Sequence, residues 1–114
     1  MTKEIIHNKL VRDSIPELIK ADGQIPVYRV LSDDERPRES RKKIVEEACE
    51  VVESAGAIDE YADTLEALKA AIEADGYTWE LIEAARAQKA AKRGGFALGI
   101  YLEKIIIPDE GESV

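Results

Sequence analysis

Five carboxylates occupy two short clusters of the chain, Glu46-Glu47-x-x-Glu50 and Glu60-x-x-Asp63. Side chains three or four residues apart lie on one flank of a helix, where like charges repel by roughly 0.2–0.5 kcal/mol per pair. The clusters therefore need either full solvation or a counter-ion. Magnesium suits this position because it binds carboxylate oxygens and keeps water ligands that substrate phosphates can replace. The types and spacing of these residues predict a hard-cation site.

Helices must hold these carboxylates, because hydrophobic periodicity and helix-terminating residues divide the chain into mostly helical segments. Two other segments are β-branched and aromatic, and because an isolated strand leaves its backbone groups unpaired, we expect them to pair. The predicted fold class is mainly α, a helical bundle with a small two-stranded β ribbon. The predicted helices extend over 15–22, 58–75 and 79–93, and the predicted strands over 25–31 and 96–107. One more helix lies between the first strand and the helix over 58–75. It begins either at the Ser32–Glu35 capping box or at Pro37, and it ends at Gly56.

The helix over 58–75 has apolar residues on both sides, because a line of alanines continues from Glu60 and Asp63. A helix that is apolar on both sides is buried on both sides, so we expect another helix over the alanines and the two carboxylates at an interior mouth. Alanine is also the best helix former, so a solvent-facing alanine surface stays an alternative. The alanines of this line are Ala67, Ala70 and Ala74. The main apolar face of the same helix consists of Ile58, Tyr61, Ala62, Leu65, Leu68 and Ile72. The main apolar face of the preceding helix consists of Ile44, Val45, Ala48, Val51, Val52 and Ala55.

The composition is that of one domain. A chain of 114 residues with 45% apolar content buries about two thirds of its unfolded surface on folding. The aromatic content of 5% favours a core made of helix seams. We therefore expect a single domain over residues 1–114, with a disordered tail over 108–114. Because so small a domain cannot cover helices that are apolar on two sides, we also expect a homodimer or a dimer of dimers.

Charge and hydropathy exclude two classes of partner. A net charge of −8 opposes binding to duplex nucleic acid, although bound cations or a basic pocket still admit a single nucleotide. No uncharged apolar run is long enough to span a bilayer, and the N-terminus has no apolar signal-peptide core, so we expect no membrane partner. The single cysteine, Cys49, falls inside a helical pattern and is expected to be buried, which is consistent with a reducing, cytoplasmic location.

Four motifs follow one another along the chain. They are Asn8-Lys9-Leu10-Val11-Arg12-Asp13, the two carboxylate motifs, and Lys89-x-x-Lys92-Arg93-Gly94-Gly95-Phe96. Either carboxylate motif alone is common on helices. The four motifs in this order resemble the MazG-like, all-α nucleoside triphosphate pyrophosphohydrolases, and particularly their small members. The resemblance extends over residues 8–96 and implies the helical bundle of that family.

This resemblance implies magnesium-dependent hydrolysis of an ordinary or modified nucleoside triphosphate, with manganese as an alternative metal. In that family, water attacks the α-phosphorus, and the products are the nucleoside monophosphate and pyrophosphate. The implied metal ligands are Glu47, Glu50, Glu60 and Asp63. Glu47 and Glu46 are also the implied catalytic residues, and Glu46 is either a further ligand or the group that positions the attacking water.

Basic residues in the first and last motifs are candidates to bind triphosphate oxygens that the metal ions leave uncompensated. Lys9 and Arg12 precede a predicted helix, where the helix dipole gives no other reason for a positive charge. Lys89, Lys92 and Arg93 lie near a helix C-terminus, where the dipole also explains them. We therefore predict all five as substrate-binding residues and rank the first two higher.

Two other functions stay open. Phosphoribosyl-ATP hydrolysis uses the same metal chemistry on a different substrate. A non-catalytic acidic helical module would instead bind a nucleotide or a protein partner without turnover and without magnesium.

Overall fold

A computed structural model describes residues 1–109, and this part of the chain contains four α-helices. The mainly α class is confirmed, and each predicted helix is present with nearly the predicted ends. The predicted disordered tail over 108–114 extends beyond the described residues. The helices are α1 (Ile15–Ala21), α2 (Arg36–Glu53), α3 (Ile58–Ala74) and α4 (Trp79–Arg93).

The chain divides into two compact units, one formed by residues 1–82 and one that begins at Glu83. The first unit contains α1, α2, α3 and the start of α4, and the second contains the rest of α4 and the segment after it. Within the first unit, α2 and α3 pack against each other, and α1 packs against neither of them. None of the helices in residues 1–109 is long and apolar enough to cross a membrane.

Helices α2 and α3 form a hairpin with a short connection over residues 54–57, which makes them antiparallel neighbours. The backbone reverses through Ala55 and Gly56, whose φ angles are 55° and 87°. The N–H of Gly56 donates to the carbonyl of Val51 at 3.0 Å. At the other end of the hairpin, Arg41 of α2 forms an ion pair with Asp75, directly after α3. This arrangement places the carboxylates in the second half of α2 beside those in the first turns of α3.

The helix starts follow the capping chemistry in the sequence. Ser32 and Glu35 form a reciprocal capping box, in which Glu35 N–H donates to Ser32 Oγ at 3.3 Å and Ser32 N–H donates to Glu35 Oε1 at 3.2 Å. α2 begins directly after Glu35, with Pro37 in its first turn. The Oγ1 of Thr78 likewise accepts the N–H of Leu81 at 3.2 Å at the start of α4.

Among residues 1–109, the buried side chains of α2 and α3 are Ser40, Ala67, Ala71 and Ile72, and three of these four are small. Ala67 and Ala71 of α3 are buried, and Ser40 of α2 is only 1% exposed. Ala70 and Ala74 are half-buried. The alanine line is therefore covered by a helix, α2. Because these side chains are small, the two helices can approach closely. The expectation that α3 is buried on both sides is wrong, because Ile58 and Leu65 on its main apolar face are 84% and 55% exposed.

The main apolar faces of α2 and α3 are largely exposed. Val45 and Val52 of α2 are 64% and 80% exposed, and Ile58 of α3 is 84% exposed. Cys49 is exposed as well, so the expectation of a buried cysteine is wrong. The face that α2 turns toward α3 includes Glu47, which lies beside Glu60 and Asp63, and of the apolar face of α2 only Ile44 and Val51 are half-buried.

The predicted β ribbon is wrong, because residues 1–109 contain no strand. The segments over 25–31 and 96–107 have irregular or turn backbone; in the second, Gly99 N–H donates to the Phe96 carbonyl at 3.0 Å and closes a turn. β-branched side chains favour an extended backbone, but a strand also needs a partner for its N–H and C=O groups. Apart from the half-buried Pro26 and Leu31, the side chains of both segments are exposed, with Val27 at 96% and Phe96 at 100%.

Candidate metal centre

Three carboxylates converge where α2 and α3 pack together. Glu47, Glu60 and Asp63 are half-buried, and each offers one oxygen within 4.8 Å of the others. Around an octahedral magnesium ion with ligands at about 2.1 Å, neighbouring oxygens are roughly 3 Å apart, so small side-chain rotations would bring these oxygens to that spacing. An all-oxygen donor set also suits magnesium or manganese. These residues therefore fit the metal that the resemblance implies, and they include three of its four predicted ligands.

Glu60 is the least compensated carboxylate of this group, since it forms no ion pair among residues 1–109. Burial of the carboxyl, and then the negative charges of Glu50, Asp63 and Glu47, raise the pKa of Glu60 above its ordinary value. Glu50 is thus close enough to act on Glu60, but it is exposed and lies outside the three-carboxylate group. A cation at this point would lower the electrostatic free energy of all these carboxylates.

Lys43 is a site residue that the sequence reasoning missed. Its side chain is only 16% exposed, and its ammonium lies 2.9 Å from Glu46 Oε2 and 3.1 Å from Glu47 Oε1. Burial works against the charged form, but the hydrogen bonds to Glu46 and Glu47 outweigh it and raise the pKa of Lys43. The signal was present in the sequence, because Lys43 precedes the two glutamates by three and four residues on one helix.

Glu46 lies outside the three-carboxylate group and forms ion pairs with Lys9 and Lys43. The hydrogen bond from Lys43, against the effect of burial and with help from Lys9, keeps the pKa of Glu46 below its ordinary value. Lys9 Nζ donates to Glu46 Oε1 at 3.0 Å. A carboxylate compensated in this way is a weak proton acceptor but a good hydrogen-bond acceptor for a water molecule.

The N-terminal segment brings the other predicted cation to the site. Arg12 donates from Nη2 to Asp63 Oδ1 at 2.7 Å, across 51 residues of sequence. The Arg12 carbonyl accepts the N–H of Ile15 at 3.0 Å, which ties this part of the segment to the start of α1. Lys9 and Arg12 therefore both contact site carboxylates, and their role in substrate binding stays a prediction.

A cleft of about 270 Å³ adjoins Glu46 on the side of the N-terminal segment. Three lysines and two glutamates contribute to its wall, so its charged lining residues carry a small net positive charge. The lining residues are Asn8, Lys9, Leu10, Glu39, Lys42, Lys43 and Glu46.

The remaining predicted substrate-binding residues lie in the second unit. Lys89, Lys92 and Arg93 are exposed in the C-terminal half of α4, with Lys92 and Arg93 in its last turn. In this position they stabilise the negative end of the helix dipole. A role in substrate binding stays a prediction for all three.

Comparisons with known proteins find little that is similar. A scan against models of protein families finds no match, and no solved structure matches the chain. An uncharacterised protein from Mycolicibacterium smegmatis is 54% identical over 43 residues, which cover 38% of this chain and 44% of that protein. The similar segment is less than half of either protein, and the relative has no described activity. The MazG-like resemblance therefore stays a hypothesis.

Proposed function

We propose that this protein hydrolyses a nucleoside triphosphate to the monophosphate and pyrophosphate in a magnesium-dependent reaction. The observation that carries the proposal is the convergence of Glu47, Glu60 and Asp63 around a point where Glu60 has no cation of its own. A triphosphate is a polyanion, and it cannot approach such a group without divalent cations between the two.

The residues of the site have separate tasks in this proposal. Glu47, Glu60 and Asp63 would hold the metal, and Glu50 would be the fourth ligand. Magnesium, when bound, neutralises phosphate charge and increases the acidity of a water molecule. Glu46 accepts a hydrogen bond from the attacking water and orients it toward the α-phosphorus. Water supplies the oxygen that forms the new P–O bond, and the α–β anhydride bond breaks to release pyrophosphate.

The basic residues bind the substrate. Lys9 and Arg12 are within reach of the site carboxylates, and charge-assisted hydrogen bonds from them would hold phosphate oxygens. Lys89, Lys92 and Arg93 are proposed for the same task on the resemblance alone.

The test is pyrophosphate release from a panel of ordinary and modified nucleoside triphosphates and phosphoribosyl-ATP, each with magnesium and with EDTA. We expect turnover of at least one compound, lost in EDTA and restored by magnesium or manganese. In Glu60→Gln and Asp63→Asn, kcat/KM should fall about a hundredfold or more, because each change removes a metal ligand.

Glu66→Gln is the matched control, since Glu66 is an exposed carboxylate on the same helix. It should keep nearly full activity. The proposed hydrolase function would be rejected if no compound were turned over or if Glu60→Gln kept full activity. Nucleotide binding that is independent of magnesium and without turnover would support a non-catalytic module instead.

We also propose that a second copy of the chain covers the exposed apolar faces of α2 and α3. Val52 and Ile58 are 80% and 84% exposed, and large contiguous apolar surfaces are typical of subunit interfaces. Val52→Glu should shift the protein toward monomer in light scattering at micromolar concentration. Val27→Glu, at a valine outside the helices, should not change the mass. A wild-type monomer would contradict the dimer.

We keep the cytoplasm as the proposed location. An exposed, unpaired thiol such as Cys49 is typical of proteins in a reducing compartment.

A further inference from the structure

Asp63 has a cationic partner that comes from a different segment of the chain. Arg12 Nη2 lies 2.7 Å from Asp63 Oδ1, and Asp63 is also one of the three carboxylates that fit a metal ion. A guanidinium and a divalent cation compete for the same carboxylate, because each lowers the free energy of its negative charge. Because the metal would reduce the negative charge that holds Arg12, we expect metal binding at this site to weaken the Arg12–Asp63 ion pair.

The Arg12 side chain is more exposed than those of the other site cations, Lys9 at 43% and Lys43 at 16%. At Arg12 the side chain is 54% exposed, and that of Asp63 is 39% exposed, so the ion pair lies at the solvent boundary. The Arg12 backbone is fixed by the hydrogen bond between its carbonyl and the N–H of Ile15. Rotation of the side chain alone can thus release Asp63 and turn the guanidinium toward a ligand above the site.

We infer that Arg12 exchanges Asp63 for phosphate oxygens when metal binds, so that Arg12 couples metal binding to polyphosphate binding. This inference rests on the proposed function and adds a regulatory device to it. Without metal, Arg12 compensates Asp63 and competes with incoming cations. With metal on Asp63, the released guanidinium binds the phosphates, and linkage requires each ligand to strengthen the binding of the other.

Lys43 and Lys9 do not share this role. Lys43 is 16% exposed and contacts Glu47 from the same helix, so it stays in place as a fixed counter-ion. Lys9 pairs with Glu46, which lies outside the three-carboxylate group. Exchange of Lys9 therefore frees no metal ligand, and Lys9→Gln is the matched control for loss of one positive charge from the same segment.

The experiment measures two affinities by calorimetry in wild type, Arg12→Gln, Arg12→Lys and Lys9→Gln. The first is the affinity for Mn²⁺ without any phosphate compound, and the second is the affinity for magnesium tripolyphosphate. In Arg12→Gln, Mn²⁺ should bind about two- to fivefold more tightly, because an exposed competing ion pair is removed. Magnesium tripolyphosphate should bind about tenfold more weakly or worse, because a charge-assisted donor is lost.

The two shifts of opposite sign identify the exchange. Arg12→Lys keeps the charge and should bind Mn²⁺ nearly as wild type does, while Lys9→Gln should tighten Mn²⁺ binding less than Arg12→Gln. Mn²⁺ affinity in Arg12→Gln that is unchanged, weaker, or equal to that of Lys9→Gln would overturn the inference. Undiminished binding of magnesium tripolyphosphate would overturn it as well.

The two hypotheses fail in different ways. If wild type hydrolyses triphosphates but Arg12→Gln binds Mn²⁺ with unchanged affinity, the exchange is wrong and the proposed function stands. If the opposite shifts occur but no triphosphate is hydrolysed, the exchange stands and the enzyme is rejected. Absence of Mn²⁺ binding by wild type, with and without tripolyphosphate, would overturn both.

Discussion

The two flanks of helix α2 differ in a way that reverses the usual arrangement of an amphipathic helix. One flank carries Ser40, Lys43 and Glu47, and it packs toward α3. On the apolar face, Ile44 and Val51 are half-buried, but Val45 and Val52 are exposed. In an ordinary globular domain, the apolar flank would face the partner helix. Here the packing within one chain brings charged side chains together and leaves Val45 and Val52 exposed.

This difference shows what each flank requires. A half-buried carboxylate needs a counter-ion, and the chain supplies cations to Glu46, Glu47 and Asp63 but none to Glu60. The apolar flank needs only to be covered, which a second copy of the same surface can do. The polar flank should therefore respond to changes in charge and volume, and the apolar flank mainly to changes in hydrophobicity.

The largest expected effect comes from added volume in the seam. Ala71 is 4% exposed between α3 and α2, so Ala71→Leu should push the helices apart and lower the free energy of unfolding by about 2–3 kcal/mol. Chemical denaturation followed by circular dichroism measures this loss. Ala48→Leu makes the same substitution on the apolar flank of α2, where the residue is exposed, and it should be neutral or stabilising. Equal losses in both variants would contradict the difference between the flanks.

The second prediction tests the resident counter-ion. Lys43→Met removes the ammonium that Glu46 and Glu47 share. In EDTA it should lower the free energy of unfolding by about 1–2 kcal/mol, because the half-buried Glu47 loses its cation and Glu46 keeps only Lys9. Lys42→Met is the neighbouring control, with a side chain that is 67% exposed and pairs only with Glu39. Its effect should be small. A matching loss in both variants would mean that helix propensity or total charge, and not the site, determines the change.

Much of this arrangement could be predicted from the sequence, because it depends on local spacing. Helix ends follow from Ser32, Thr78 and the glycines, and the neighbourhood of Glu60 and Asp63 follows from their spacing on one helix. The line of alanines correctly indicated a covering helix. Periodicity did not predict which flank of α2 would face α3. It identifies the most hydrophobic flank of a helix, whereas the flank of α2 at this contact carries small side chains and charged side chains that form ion pairs.

The failures have the same origin. The exposed position of Cys49 depends on which flank of α2 is packed, and the missing ribbon depends on whether a strand over 25–31 or 96–107 finds a partner. Both outcomes depend on tertiary packing, which local composition does not determine. Lys43, in contrast, was missed although its spacing to Glu46 and Glu47 was available.

The third prediction concerns Glu60, the member of the three-carboxylate group that forms no ion pair among residues 1–109. In EDTA, Glu60→Gln removes a charge that Glu50, Asp63 and Glu47 repel, so the melting temperature should rise above that of wild type. The sign follows from linkage: a raised pKa in the folded state means that the charged form of Glu60 destabilises the fold as pH rises through that pKa. Magnesium should stabilise wild type and have a much smaller effect on the variant. A lower melting temperature in EDTA would show that Glu60 has a partner in solution.

The smallest effect is expected at the exposed start of α2, outside both flanks. Arg29 donates two hydrogen bonds to Glu35, at 2.9 and 2.6 Å, and with Ser32 it lowers the pKa of Glu35 to about 2. A depressed carboxyl pKa contributes stability that is present above the unfolded value of 4.5 and is lost as pH falls toward 2. Arg29→Gln should therefore raise the pKa of Glu35 and flatten the loss of stability in this window. A carbon-detected NMR titration of the carboxyl group measures the shift.

Arg38→Gln is the control for this titration, because Arg38 is an exposed arginine of the same region whose nearest acidic partner is Glu39, at 3.7 Å. It should leave the pKa of Glu35 low. If Arg29→Gln also left it low, the capping-box hydrogen bonds from Ser32 would be the main cause, and the start of α2 would be held by backbone capping without the ion pair. The difference from Lys43 would then be larger, since only half-buried cations on the polar flank would contribute to the free energy of folding.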